Sequence, residues 1–157
     1  MTFQQEHAEW LEANFPNQNP WMPAASMVEE AGELFHALLK LEQSKAYGRE
    51  SRYVDCDFAA MLVNAVGDCA IYCCSLCNSN GWSYSELTGS FDVQGSTLLQ
   101  LASEMLQCAA KLAVNPGVKL HATLYMGLLR HIAVVCDVDF DVAVATTWRE
   151  VKARKCR

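Results

Sequence analysis

Apolar residues recur along this chain at intervals of three and four, which is the spacing of one face of an α-helix. Proline, glycine and asparagine cluster between these periodic segments and mark their ends. No segment alternates apolar and polar residues for long enough to predict a strand. We therefore predict a single all-α domain over residues 1–157, a helical bundle with helices over residues 3–14, 23–45, 54–79, 97–114, 118–136 and 140–155.

Capping residues mark several of the predicted helix ends. Thr2, Ser96 and Asp139 are predicted N-caps, because a side-chain oxygen at that position accepts a hydrogen bond from the first turn. Gln5 follows Thr2 by three residues and completes a capping box. Gly81 is predicted to end the third helix, since glycine adopts the left-handed conformation found after many helices.

Acidic residues lie beside the apolar stripes of the second and third helices. Glu30 and Glu33 are three residues apart and share a helix face, where their charges repel. Asn64 and Asp68 share a polar face of the third helix. Carboxylates are hard oxygen ligands that suit Mg²⁺ or Mn²⁺. We predict that Glu30, Glu33 and Asp68 meet at a cation site on the edge of the core.

Two glycines accompany these acidic residues. Gly32 lies between the glutamates, and Gly67 directly precedes Asp68. Glycine is unfavourable inside a helix but lets another group approach closely. Each glycine is therefore predicted to mark such an approach.

The composition excludes several classes of partner. Of the 157 residues, 12 are Lys or Arg and 18 are Asp or Glu, which gives a net charge of −6. An acidic chain without a basic stripe is a poor ligand for nucleic acid polymers. The N-terminus shows no signal peptide, and no uninterrupted apolar run is long enough to span a bilayer. We predict a cytoplasmic protein with no membrane partner.

The chain contains 8 cysteines. Cys69, Cys73 and Cys77 recur on one face of the third helix, which favours small buried thiols. Cys74 and Cys77 form a C-x-x-C pair, which alternatively indicates half of a zinc site or a redox pair. No second C-x-x-C or C-x-x-H is present to complete a zinc set.

The motifs V-E-E-A-G-E-L (28–34) and G-D-C-A-I-Y (67–72) resemble those of the MazG-like all-α nucleoside triphosphate pyrophosphohydrolases. That family carries E-x-x-E on one helix and E-x-x-D on the next. The segment T-W-R-E-V-K-A-R (147–154) is similar to the W-x-x-V-x-x-R that closes MazG-like proteins. The likeness covers residues 20–154.

The resemblance implies a helical bundle that forms a homodimer or homotetramer and cleaves nucleoside triphosphates to the monophosphate and pyrophosphate. It also implies Mg²⁺ held by carboxylates, with Mn²⁺ as a possible substitute. By position, the resemblance assigns Glu30, Glu33 and Asp68 as metal ligands and Glu29 as either a further ligand or the group that orients the water. It places Tyr72 near the substrate, and Lys40 and Lys45 are candidates for contact with phosphate.

One position departs from the family pattern. The glutamate expected three residues before Asp68 is replaced by Ala65, with Asn64 beside it as an uncharged oxygen ligand and Asp57 as a compensating acid. The loss of charge implies weaker metal affinity, fewer ions or lost activity. The alternative function is therefore a catalytically impaired family member that binds a nucleotide or a protein partner.

Further expectations concern other side chains. Glu33 and His36 form one E-x-x-H, but a di-iron bundle needs this motif twice, so His36 is expected to be a surface or interface residue. The cysteine-rich side of the third helix is predicted to mediate self-association. His121 and His131 lie in no nucleophilic triad. The candidates for stacking on the base are Trp21, Phe35 and Trp82.

Overall fold

The computed structural model describes residues 1–47, 57–89 and 95–154. Its helices are α1 (Phe3–Asn14), α2 (Trp21–Tyr47), α3 (Phe58–Asn80), α4 (Leu98–Val114), α5 (Lys119–Val135) and α6 (Phe140–Ala153), with a short 3-10 turn over Tyr84–Glu86. These three ranges contain no strand. The prediction of an all-α helical bundle is confirmed. The predicted helical residues 54–56 and 155 lie outside the described residues.

Most of the predicted helix ends agree with the structure. Thr2 caps α1 and Gln5 closes the capping box. The Asp139 side chain accepts from the backbone N–H of Val142. Gly81 follows α3 with a φ of 67°, in the left-handed region. Local hydrogen bonding therefore sets these ends, as the capping rules predict.

The predicted cap of α4 is wrong by one residue. Thr97, not Ser96, is the N-cap, and its hydroxyl accepts from the backbone N–H of Gln100. The Gln100 side chain accepts in return from the backbone N–H of Thr97. A cap at Ser96 would place Leu99 at the reciprocal position, where no side-chain acceptor is available.

The core lies where the helices pack against one another, with α2 and α3 at its centre. α2 packs mainly against α3 and α4, while α4 packs against α5 and α3 against α6. The largest fully buried side chains come from four of these helices and the loop after the 3-10 turn: Tyr125, Met27, Leu34, Leu38, Leu76, Leu87, Leu101, Met105, Leu112, Met126, Leu129 and Ile132. α1 lies outside this set and packs on α3.

Gly67 is the point of closest approach between α3 and α6. A β-carbon at this position would lie 2.6 Å from Thr147 Cβ and 2.9 Å from the carbonyl oxygen of Ala143. The prediction of a close approach at Gly67 is therefore confirmed. The same prediction for Gly32 is wrong, because nothing lies within 4 Å of a β-carbon built there.

The cysteine-rich face of α3 is enclosed within the single chain. Cys69, Cys73, Cys74 and Cys77 each have 0% of their surface exposed, and all four are free thiols. This burial agrees with the expectation of small buried thiols. It removes the basis on which self-association was predicted, because the packing of α3 leaves no cysteine face for a second chain.

α3 also has the length and composition of a membrane span. Its most apolar window has a mean hydropathy of 1.6, and 67% of that window is buried inside the protein. Asp68 is the only charged residue in the helix. The apolar run is therefore longer than the sequence prediction allowed. Core helices of water-soluble proteins meet the same criterion.

The two glycines should respond in opposite ways to alanine. Gly67→Ala should lower the free energy of unfolding by about 1–3 kcal/mol, since neither Thr147 Cβ nor the Ala143 carbonyl can rotate away. Gly32→Ala is the matched control and should raise it by about 0.5–1 kcal/mol. Urea denaturation measures both. A Gly67→Ala protein as stable as the natural one would contradict the tight contact.

Candidate functional site

A cavity of about 390 Å³ collects the three predicted carboxylate ligands. We call it the acidic cavity. Glu30 and Glu33 enter it from α2, and Asp68 enters from α3. Its other lining residues come from α1, the following loop, the start of α2, the middle of α3 and the end of α6: His7, Trp10, Leu11, Phe15, Gln18, Met22, Ser26, Ile71, Tyr72, Ser75, Val151 and Arg154.

Negative charge is crowded around Glu30. Burial, followed in order of importance by the charges of Asp68, Glu33 and Glu29, raises the pKa of Glu30 from 4.5 to about 7. Arg154 acts against this shift. The helices therefore hold these carboxylates together although their ionised forms repel each other, which is the electrostatic setting of a cation site.

Asp68 shares this environment. Burial raises the pKa of Asp68, and the nearby Arg154 guanidinium is the largest opposing influence. Glu33 and Glu150 also raise the pKa. One arginine thus offsets part of the repulsion for both Glu30 and Asp68.

Tyr72 lies on α3 one turn after Asp68 and is half-buried beside the carboxylates. Burial raises the pKa of its phenol, and the charge of Glu30 adds to the effect. A hydrogen bond with the Ser26 side chain opposes the shift. Tyr72 therefore remains a neutral hydroxyl in the cavity wall, where the resemblance places a substrate contact.

Aromatic side chains also line the acidic cavity. The ring centroids of Trp10 and Phe15 are 5.7 Å apart, with an interplanar angle of 55°. Gln18, a third lining residue, has a buried Oε1 without a hydrogen-bond partner among the described residues. No local pattern in the sequence indicates these three residues, since only the packing of α1 and its loop brings them to the same cavity as the carboxylates.

The residues predicted to stack on a base lie elsewhere. Trp21 is 49% exposed, while Phe35 and Trp82 pack against the core. None of the three lines the acidic cavity. The packing of Phe35 and Trp82 agrees with the alternative that these candidates are core residues.

A second cavity of about 430 Å³ lies on the other side of Glu33. We call it the side cavity. Glu29, Glu33 and His36 line it from α2, and Asn64 and Ala65 line it from α3. The structure thus separates the predicted ligands: Asn64 lies in the side cavity, Glu30 and Asp68 lie in the acidic cavity, and Glu33 lines both.

The departure from the family pattern falls in the side cavity. Ala65 is only 6% exposed, and Gly32, which lines the same cavity, has open space above it. A longer acidic side chain would have room there. Asp57 does not fill the place: it caps α3 and accepts from the backbone N–H of Ala60 at 3.0 Å.

The predicted phosphate contacts are not brought to the carboxylates. Lys40 lines neither the acidic nor the side cavity. Lys45 forms an ion pair with Glu42 at 2.8 Å. Both follow the motif on α2 by more than one turn, so they project beyond the cavities.

A buried polar network holds α1 against α3 and fixes the state of His7. Gln4 is oriented by two backbone groups, because its Nε2 donates to the Trp82 carbonyl at 2.7 Å and its Oε1 accepts from the Tyr84 N–H at 2.8 Å. The same Nε2 donates to Asn78 Oδ1 at 3.0 Å. Asn78 therefore turns its amide nitrogen to His7 Nδ1, at 3.1 Å.

This arrangement excludes a serine nucleophile activated by His7. Since Nδ1 of His7 accepts, Nε2 carries the proton and points at Ser75 Oγ, 3.3 Å away. The Ser75 hydroxyl donates to the Ile71 carbonyl. Burial lowers the pKa of His7 to about 4, so the ring is neutral and structural.

A third cavity, of about 720 Å³, lies between α1, the 3-10 turn and α6. We call it the N-terminal groove. It contains none of the predicted site residues. Its basic residues Arg130, Arg149 and Lys152 face the acidic residues Glu6 and Asp141, so its charges nearly balance.

The described residues contain no group of three His, Cys, Asp or Glu side chains arranged to hold a metal ion. Magnesium commonly needs fewer protein ligands, because one or two carboxylates, substrate phosphates and water complete its shell. Compared with protein-family models, curated proteins and solved structures, the chain matches none of them. The site is therefore interpreted from its own residues and from the resemblance of its motifs.

The burial of Glu30 and the negative charges around it should make stability depend on pH. Its pKa is 4.5 when exposed and about 7 in the fold. Between these values the unfolded chain ionises while the fold retains the proton, so rising pH lowers stability over this window. Relative to the natural protein, Glu30→Gln should therefore gain stability as the pH rises from 4.5 to 7 in metal-free buffer. Thermal melts across that range measure this difference, and a constant difference would contradict the crowding.

Proposed function

We propose that the protein is a Mg²⁺-dependent nucleoside triphosphate pyrophosphohydrolase that converts (d)NTPs to (d)NMPs and pyrophosphate. The observation that carries this proposal is the convergence of Glu30, Glu33 and Asp68 on one cavity. These residues come from two helices, and they are the ones that the MazG-like motifs single out.

The donor set suits Mg²⁺ or Mn²⁺. Glu30, Glu33 and Asp68 offer only carboxylate oxygens, and the raised pKa of Glu30 marks negative charge that the chain itself leaves partly unbalanced. Such a hard, acidic set favours a hard divalent ion. When bound, the ion supplies charge neutralisation to the phosphates and lowers the pKa of a coordinated water.

The remaining residues suit a substrate with one highly charged end and one flat end. The acidic cavity is lined by the carboxylates and Arg154 and also by the aromatic residues Trp10 and Phe15. Aromatic side chains stack on nucleobases with little sequence preference. Tyr72 and Ser26 add neutral hydroxyl groups to the cavity wall. Glu29 lines the side cavity with Glu33 and is a further ligand or the group that orients the water.

The alternative is a catalytically impaired member that binds a nucleotide or a protein partner without hydrolysis. The observation that favours it is the open space beside Ala65 and Gly32, where the family pattern has a fourth acid. The homodimer or homotetramer rests on the resemblance alone. A cytoplasmic location, with no nucleic acid polymer and no membrane as partner, also remains a prediction.

Removing the charge of Glu33 tests the enzyme directly. Glu33→Gln should lower Mg²⁺-dependent pyrophosphate release at least about 100-fold, since loss of even an outer-shell partner of a metal site costs about 10–100-fold. Glu104→Gln, an exposed change on α4, is the control and should leave the rate unchanged. The measurement is pyrophosphate release across a panel of NTPs and dNTPs.

Two outcomes would contradict this prediction. Full activity in Glu33→Gln would remove this residue from the ligand set. If the natural protein released no pyrophosphate from any nucleotide, at ample protein and Mg²⁺, the proposed hydrolase activity would be contradicted and the alternative of a binding protein would be favoured.

Restoring the missing acid should strengthen the cation site. Ala65→Glu should tighten Mn²⁺ binding several-fold, because it adds a carboxylate near Glu33 in a partly enclosed cavity. Ala65→Gln is the matched control, with nearly the same volume and no charge. Manganese binding followed by electron paramagnetic resonance measures both, and circular dichroism checks the fold. Equal affinities in the two variants would show that Ala65 does not mark the missing ligand.

A further inference from the structure

Arg154 is the one permanently positive side chain among the described residues that line the acidic cavity. The other basic side chain there, His7, is held neutral by burial. Arg154 lines this cavity together with Glu30, Glu33 and Asp68. Its charge therefore lies in the same cavity as the carboxylates that are proposed to bind the cation.

The fold carries Arg154 to this place through α6. Trp148 is 4% exposed, and its ring lies 4.9 Å from that of His7 and 5.6 Å from that of Trp10. Val151, one turn later, lines the acidic cavity. The backbone N–H of Arg154 donates to the carbonyls of Glu150 and Val151 at 3.2 and 3.1 Å, which closes the helix. The buried Trp148 thus fixes the end of α6, where Arg154 follows.

The charges in the cavity have opposite consequences for two ligands. A free divalent cation gains from the three carboxylates but is repelled by the guanidinium. A nucleotide triphosphate is repelled by the carboxylates, yet its phosphates suit the guanidinium, which binds such oxygens in pairs. A metal–nucleotide complex satisfies both sets of groups at once.

We propose that Arg154 is a built-in counter-ion that makes the acidic cavity select the metal–nucleotide complex over the free divalent cation. This inference rests on the proposed function, because it takes the carboxylates as the metal site and a nucleoside triphosphate as the substrate. It assigns Arg154, the arginine of the W-x-x-V-x-x-R segment, a role that the carboxylate ligands do not have: Arg154 opposes binding of the free cation and attracts the phosphates.

Two binding measurements on Arg154→Gln test the inference. The first is the affinity for Mn²⁺ alone, followed by electron paramagnetic resonance. The second is the affinity for an α,β-methylene dNTP at saturating Mg²⁺, followed by calorimetry. The substitution should tighten Mn²⁺ binding about threefold to tenfold and weaken nucleotide binding about tenfold or more, because one positive charge acts with opposite sign on the cation and on the phosphates.

Arg149→Gln is the matched control. It removes the same charge from the same helix, but Arg149 lines the N-terminal groove. It should leave both affinities unchanged. Arg154→Lys keeps the charge without the planar fork, so it should preserve the weak Mn²⁺ affinity and recover only part of the nucleotide affinity.

The outcomes separate this inference from the proposed function. If the natural protein hydrolyses nucleotides and Arg154→Gln shifts the two affinities in the same direction, or shifts neither, the inference fails and the hydrolase stands. If the affinities shift in opposite directions but no nucleotide is hydrolysed, the inference holds for a binding protein. A natural protein that binds neither Mn²⁺ nor the analogue would overturn both.

Discussion

The close contact of α3 with α6 at Gly67 is the constraint from which the acidic cavity follows. No β-carbon fits between Gly67 and Thr147, so the two helices approach more closely there than larger residues would allow. Asp68 comes directly after this contact on α3. Trp148 comes directly after it on α6 and packs against α1 through His7 and Trp10. This contact therefore helps to place α3, α6 and α1, three of the helices that surround the cavity.

The same arrangement brings negative charges together, and the chain neutralises this charge only in part. Two helices bring Glu30, Glu33 and Asp68 together at the edge of the core, where burial adds to their mutual repulsion. Arg154 offsets some of this charge from a third helix. The balance that remains is negative, and it suits a ligand that carries both a divalent cation and an anion. This is the physical basis for proposing a metal–nucleotide complex as the ligand.

Local signals in the sequence account for most of the fold. The helices, the caps at Thr2 and Asp139 and the stop at Gly81 depend on neighbours within a turn, so they can be predicted from short windows. The error at Ser96 is of the same kind, because the partner three residues on decides between adjacent caps. Gly32 is different, because its environment depends on how closely another helix packs, and nothing lies within 4 Å of a β-carbon built there.

The site could be predicted only where its residues share a helix face. The pairing of Glu30 with Glu33 follows from helical spacing, and Asp68 from the motif on the next helix. Trp10 and Phe15 reach the same cavity through packing between segments far apart in sequence, which no local pattern indicates. Arg154 belongs to the W-x-x-V-x-x-R segment, but its place in this cavity likewise depends on how α6 packs. The assignment of Asn64 to a different cavity from Asp68 likewise depends on how α3 is rotated against α2.

The most direct test of the proposed site is an anomalous difference map from crystals grown with Mn²⁺ and an α,β-methylene dNTP. We expect a manganese peak in the acidic cavity, coordinated by carboxylate oxygens of Glu30, Glu33 or Asp68 and by phosphate oxygens. The base should contact Trp10 or Phe15. A nucleotide bound elsewhere, or a manganese peak away from all three carboxylates, would contradict it.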